Sequence, residues 1–367
     1  MHYFIFPTKD SWISSGSSRI DGTSFKDQNF GADQILEVKK EFWNKSFEYP
    51  TRALVDFSGT NFNTLSQSIV DGDIVNPTFY LRMFEAQGNS DLSRDYKLAI
   101  QPISESWTEG TGKFGDDPKT TNGCSWDNSS YPEGSTEVAW STAGASITNV
   151  GSSSNQSFSN QSPDIEVDVT NMVNMWLDNS IDNYGMLIRF SGSQETDSST
   201  FGKLKFFGKD THTIYAPRIE ARWDGHSPCT GSNTGSLSQL DVSGNTDNFI
   251  YTIASQDKYR ETDKPKIRIG SRKQFIQKSF SESYNTTSGS FIPEGSGSYA
   301  IIDVATGEKV IDFSNNSKLS CDSKSNYFIE YMNGLYPDRT YKVLIKVKYD
   351  DGQERIYDND FEFKLVR

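Results

Sequence analysis

The segment PDIEVDVTNMVNMWLDNSIDNY, ending at Tyr184, constrains the fold more than any other stretch of this chain. Ile165 to Val167 has strand character and runs into Asp168-Val169-Thr170, a capping-type helix start. Val169, Met172, Val173 and Trp176 then recur at the spacing of one apolar helical face. Asn183-Tyr184-Gly185 supplies turn chemistry, and Met186 to Phe190 reads as a strand again. The surrounding pattern is strand after strand, so this predicts an all-β protein with one short helix.

Composition agrees. Aromatics make up 13% of the 367 residues, and 28 Gly accompany abundant Ser, Thr, Asn and Asp, which favours strands joined by turns. A net charge of -13 argues against nucleic acid, whose backbone is held mainly by Lys and Arg. Lys264 to Lys273 forms a local basic patch that reads as a solvated strand face, with an acidic partner as the alternative. No Sec-type leader is visible in MHYFIFPTKD, and no apolar run approaches the roughly 18 residues of a membrane helix. No membrane partner is therefore expected. Cys124, Cys229 and Cys321 are scattered and odd in number, as suits a reducing cytosol, and a Cys124–Cys229 bridge is left open.

Strands are expected at Tyr3–Phe6, Ile35–Val38, Arg52–Asp56, Thr78–Phe84, Lys97–Pro102, Ile165–Val167, Met186–Phe190, Lys203–Phe207 and Arg218–Trp223. Together they define a first domain over residues 1–224, in which Leu54 and Asp56 alternate with Ala53, Val55 and Phe57. Residues 105–164 form a long Gly-, Ser-, Asn- and Asp-rich region of the kind that is usually an insertion or functional loop. Its aromatics Trp107, Phe114, Trp126 and Trp140 predict that it packs down on the body. The stretch 225–240 reads as a linker.

Beyond it, residues 241–367 resume with strands at Asn248–Ile253, Pro265–Gly270, Tyr299–Asp303, Asn326–Tyr331, Tyr341–Tyr349 and Phe361–Val366, with room for a small β subdomain in front. Leu335-Tyr336-Pro337 leading to Tyr341 has the pattern of a tyrosine corner, which predicts an immunoglobulin-like sandwich.

Several segments occur in the order of a known pattern. They are Asp10-Ser11-Trp12-Ile13, then Asn29-Phe30-Gly31, then Arg52-Ala53-Leu54-Val55-Asp56-Phe57. Trp107 within Ser106-Trp107-Thr108-Glu109 follows, and then Asp168-Val169-Thr170 with Trp176 and Asn183-Tyr184-Gly185. Over about 220 residues the chain resembles the DNRLRE family of β-sandwich modules, some of them carbohydrate-binding. Ala216-Pro217-Arg218 resembles its closing strand, while Phe207-Gly208-Lys209-Asp210 departs from it. The resemblance implies a jelly-roll-like sandwich and assigns Arg52, Asp56, Trp107, Asp168, Thr170, Trp176 and Tyr184 to structural positions.

Modules of that kind occur in secreted polysaccharide-degrading enzymes, cell-surface proteins and tailed-phage virions. With no leader, anchor or catalytic module visible, the chain resembles a virion structural protein, made in the bacterial host cytoplasm and built into the tail, neck or capsid surface. Its partners would be other virion proteins in a symmetric multi-copy assembly, and quantifying the chain in purified virions by mass spectrometry tests this. The alternative is a carbohydrate-binding adhesin for surface polysaccharide.

Chemistry-bearing residues are sparse. His2, His212 and His226 form no metal-ligand pair, and no G-x-S-x-G elbow accompanies a Ser, so no enzyme is expected. Glu105 and Glu109 flank Trp107, where a structural loop is preferred to a glycosidase pair. No cofactor is expected. The weak calcium candidates Asp178, Asp182 and Asp322 lie in Asp-rich turns without EF-hand spacing, and turn formation is the plainer reading. Trp126 and Trp140 are the candidate sugar platforms or interface anchors.

Overall fold

Strand alternation dominates the backbone. The computed structural model describes residues 1–17, 22–43, 46–87, 95–131, 136–149, 153–159, 164–244, 247–253, 255–275, 289–358 and 360–367. Two compact units form: Phe4–Asp73 with Thr78–Ala221, and Arg222–Arg367 with Met1–Tyr3 and Ile74–Pro77.

The N-terminal unit is built on two sheets. One runs in the order His2–Ile5, Arg218–Arg222, Thr78–Met83, Ile165–Asp168. The other has eight strands. Its path is Ser154–Ser159, Asp95–Pro102, Met186–Phe190, Ser46–Asp56, Ile35–Trp43, Gly202–Phe207 and Glu85–Gln87, and Lys9–Ser14 also pairs with Ser46–Asp56. Inward residues such as Phe79 and Leu81 of the first sheet, and Ala53, Val55 and Ile100 of the second, are buried.

Two helices are present among the described residues, so the expectation of a single one is corrected: α1 covers Thr60–Val70 and α2 covers Thr170–Leu177. The sequence of α1, TNFNTLSQSIV, is rich in poor helix formers, has no side-chain cap and buries only Phe62 and Leu65. Its periodicity is correspondingly faint. Phe62 meets Trp176 of α2 edge-on, with ring centroids 6.3 Å apart. At the start of α2 the N-cap is Val169, and Asp168 Oδ1 accepts the Thr170 N–H at 2.8 Å. The Thr170 hydroxyl oxygen accepts the Phe79 N–H at 2.9 Å, pinning the helix to its neighbouring strand. Met172, Val173 and Trp176 are buried as the spacing requires.

Gly185 closes the unit. Its φ is +87°, and a Cβ there would lie 2.3 Å from the Val55 carbonyl oxygen, so no larger residue fits.

The C-terminal unit contains two six-stranded sheets. One centres on Lys266–Lys273, paired with Asn248–Ile253 and Asn326–Ile329, and the other on Thr340–Lys348, paired with Gly297–Asp303 and Glu362–Val366. The tyrosine corner is made as expected. The Tyr336 N–H donates to Tyr341 Oη at 2.7 Å, and the Tyr341 hydroxyl donates to the Tyr336 carbonyl at 3.2 Å.

Residues 225–240 do not behave as a free linker. Cys229 is buried with Phe291 and Cys321, and Ser238–Gln239 runs parallel to Ser290–Phe291. Small polar residues there serve tight packing and turns, a composition they share with linkers. Cys124, Cys229 and Cys321 are free and buried, so the Cys124–Cys229 bridge is not made.

Candidate functional site

Alternation along Arg52–Phe57 leads one to expect a dry face and a wet one. Instead Ala53, Leu54, Val55 and Phe57 are all fully buried. The long region after Ile103 forms a roof over the outer face of the eight-stranded sheet. Ile13, Leu54, Ile103, Trp107, Cys124, Trp140, Ala145 and Leu187 make a second core there, flanked by Trp126, Ile147 and Tyr184. Its farther part is not loop at all, because Ser154–Ser159 pairs with Asp95–Pro102.

The roof is fixed by buried polar groups. Asn29 Nδ2 donates to the carbonyls of Glu109 (2.6 Å) and Cys124 (2.7 Å). Its Oδ1 accepts the N–H groups of Gly31 (3.1 Å) and Gly112 (2.8 Å). One buried amide therefore satisfies backbone groups from several loop segments at once. Lys9 donates to the Trp107 carbonyl at 2.8 Å, pairs with Asp56 at 3.0 Å and lies 4.6 Å from the Trp107 ring centroid. The Trp107 indole donates to the Tyr184 carbonyl at 2.8 Å. Asp56, Trp107 and Tyr184, given structural positions by the resemblance, meet in this network through Lys9, which no sequence signal singles out.

Arg52 is held in a similar way. Its Nε and Nη2 grip Glu195 at 2.7 and 2.9 Å, its Nη1 donates to the Gly144 carbonyl at 2.5 Å, and its guanidinium lies 4.8 Å from the Trp126 ring centroid. Arg189 adds a 2.5 Å contact to the same carboxylate. Trp126 thus packs on one side against Arg52. Trp140 is buried at 5% exposure and donates its indole N–H to the Ser125 carbonyl at 2.9 Å. It is an anchor within this chain, which removes it as a sugar platform.

The carboxylates near Trp107 go to separate partners. Glu105 accepts the Ser141 N–H at 3.1 Å, whereas Glu109 accepts the Asp10 N–H at 2.8 Å and pairs with Lys209 at 3.2 Å. Asp10 is fully buried, and burial pushes its carboxyl up to about 7 against the opposing Lys209 N–H bond of 2.5 Å.

The calcium candidates serve other ends. Asp178 closes its own turn with the Ser180 N–H at 2.8 Å, and Asp182 accepts the Tyr184 hydroxyl at 3.3 Å. Asp322 is engaged by Lys266 at 2.7 Å and by both terminal nitrogens of Arg268 at 2.9 and 2.8 Å, and these cations hold its carboxyl far below the usual range. Among the described residues no three His, Cys, Asp or Glu side chains converge on a metal position.

Phe114, expected with the tryptophans to pack down on the body, is instead 54% accessible, which corrects that reading for this ring. It caps a ring cluster. Trp12 and Phe30 stack at 3.7 Å between centroids and 8° between planes, and Phe114 lies 6.0 Å from Trp12 and 6.4 Å from Phe30. Asp33 fixes the arrangement, with its Oδ2 accepting the Trp12 indole N–H at 2.9 Å and its Oδ1 the Phe114 N–H at 3.2 Å. Burial raises the Asp33 carboxyl from its ordinary value, opposed by these two donors. The loop below Phe114 is braced by Asp116, which accepts the Lys113 N–H at 2.9 Å and the Thr120 hydroxyl at 2.7 Å. Lys39, 5.9 Å from the Phe114 centroid and paired with Glu37 at 3.2 Å, borders the ring. A sequence signal existed: a Phe between Gly112 and Gly115, followed by Asp116-Asp117-Pro118, is a turn presenting its aromatic.

No family model matches the chain, and neither does any curated protein. The DNRLRE resemblance therefore gains no support from a family match. Among solved structures, the adhesin domain of Epf from Streptococcus pyogenes is similar at 9% identity, covering 100% of this chain and 91% of that one with a TM-score of 0.18. The beta-1,2-glucanase from Parabacteroides distasonis is similar at 6% identity, covering 100% of this chain and 37% of that one, also with a TM-score of 0.18.

Proposed function

We propose that the protein is a non-enzymatic carbohydrate-binding protein and that a sugar ring stacks on Phe114. The observation that carries this reading is an exposed ring seated on a buried aromatic stack and held by backbone and Asp33 bonds. A ring already fixed in place loses little entropy when a sugar lands on it, and its flat apolar face suits stacking. The virion role remains an expectation of the sequence resemblance.

Trp12 lies 6.0 Å from Phe114, so indole emission reports occupancy of the platform. Titration with soluble surface polysaccharide is expected to shift that emission. Phe114→Ala is expected to weaken binding by roughly tenfold, the worth of about 1–2 kcal/mol of stacking, with unfolding unchanged. Binding that survives Phe114→Ala, or that is lost instead in Trp126→Phe, would overturn the assignment.

A further inference from the structure

We propose a second binding site, in the C-terminal unit, for an anionic saccharide. Where the strands Gly297–Asp303 and Thr340–Lys348 meet the 312–318 loop, a cleft of about 520 Å³ opens, lined among others by Phe313, Asn315, Lys318, Lys346, Lys348 and Glu354. Three lysines face one glutamate in the lining and Asp224 beside it, which leaves one positive charge in excess on a chain whose net charge is -13.

Two of those lysines are already committed. Lys346 pairs with Glu354 at 3.1 Å and lies 5.1 Å from the Phe313 centroid, and Lys318 pairs with Asp224 at 3.2 Å. Lys348 is exposed and has no ion-pair partner among the described residues, although its backbone N–H is fixed to the Ser296 carbonyl at 2.8 Å. Its ammonium is the group available to an incoming anion.

The walls are braced. Ser317 Oγ accepts the Ser314 N–H at 2.7 Å and donates to the Asp312 carbonyl at 3.1 Å, and the Leu319 N–H donates to the Gly297 carbonyl at 3.0 Å. A Cβ at Gly297 would lie 2.8 Å from Leu319 Cδ1, so the strand packs closely against that side chain.

A half-buried Phe313 ring, hydroxyls and an amide at the rim, and one free cation fit a ring with a polar edge and a carboxylate or sulfate. An extended polyphosphate would pay for the repulsion of the rest of the surface, whereas a short acidic sugar meets only the local field. The proposal does not depend on Phe114, because each site has its own variant and its own probe.

The test is calorimetric titration of the full chain with a tetra-galacturonate, its methyl ester, and a sulfated tetrasaccharide. The acid or the sulfated sugar is expected to bind, the methyl ester is not, and binding should weaken between about 50 and 200 mM salt as the charge contact is screened. Lys348→Glu should weaken binding on the order of tenfold, Lys348→Gln by less, and Phe114→Ala should leave it intact. The sugar retained at low salt identifies whether carboxylate or sulfate is the preferred anion. Equal binding of the methyl ester, undiminished binding by a Lys348→Glu protein with normal unfolding, or no binding of either acid at millimolar concentration would each overturn the site.

Discussion

Asp10 in the N-terminal unit and Asp303 in the C-terminal unit are both fully buried, yet burial leaves them in opposite states. Asp10 receives one backbone N–H from Lys209, has Glu109 nearby as a second acid, and keeps an oxygen without a hydrogen-bond partner, so its carboxyl rises to about 7. Asp303 faces a bidentate Arg339 and the N–H groups of Ala305 (3.0 Å) and Thr306 (2.9 Å). Burial would raise it as well, but the guanidinium and the turn outweigh burial and hold it below the usual range. The donors around a buried acid therefore help to decide its charge, alongside how deeply it is desolvated.

The largest effect should come from removing the cation. Arg339→Met leaves Asp303 buried without its partner and is expected to cost about 3–5 kcal/mol at neutral pH, part of which should return on acidification as Asp303 takes up a proton. Urea unfolding followed by hydrogen exchange in each unit would show the loss confined to residues 222–367. A loss below about 1 kcal/mol would mean that the pair is not what holds Asp303 ionised.

Asp10 tests the other half. The unfolded chain releases this proton near pH 4, as a free aspartate does, while the folded unit keeps it to about pH 7. Between those values the folded state binds more protons, so its contribution is fully present below about pH 4 and is lost as pH rises through 7. Asp10→Asn should flatten that slope and stabilise the N-terminal unit by at most a few kcal/mol at pH 8, the bound set by the gap between those two pH values. Asp303 works in the reverse sense, with stability present above about pH 4 and lost below it. Parallel pH profiles for the two units would erase the contrast.

The smallest effect is expected at a corner that carries no charge. Tyr341→Phe removes the hydroxyl that bridges both backbone groups of Tyr336 and should cost about 1–2 kcal/mol, with no dependence on pH between 4 and 8. A pH-dependent loss would show that the corner is coupled to the Asp303–Arg339 pair, since Asp303 lies opposite Tyr341 across the two strands.

Much of the fold was legible because strands and turns carry local signals. The face of α2 and the Pro337–Tyr341 corner each rest on residues close in sequence. Helix α1 was not legible, since Thr, Asn and Ser at its positions favour neither helix nor strand and its two buried residues make a weak stripe. The packing of residues 105–147 was foreseen from the tryptophans, but the partners were not. Lys9, Asn29 and Glu195 reach Trp107, Glu109 and Arg52 across 98, 80 and 143 positions of sequence, a range over which spacing carries no information. Trp126 and Trp140 stood as sugar platforms or interface anchors because they lie in the long region. Burial then separated them, and the exposed ring proved to be a smaller one, set by the turn around it.

The roof has a consequence for how this chain can vary. A strand with one wet face tolerates change at every second position, and substitutions accumulate there. Along Arg52–Phe57 neither parity is free, because one set of side chains fills the space between the sheets and the other fills the second core or neutralises Glu195 and Lys9. Drift in this strand is therefore blocked at consecutive sites. In a profile of tolerated substitutions it would look like the middle strand of a parallel sheet, although every neighbour it pairs with runs antiparallel.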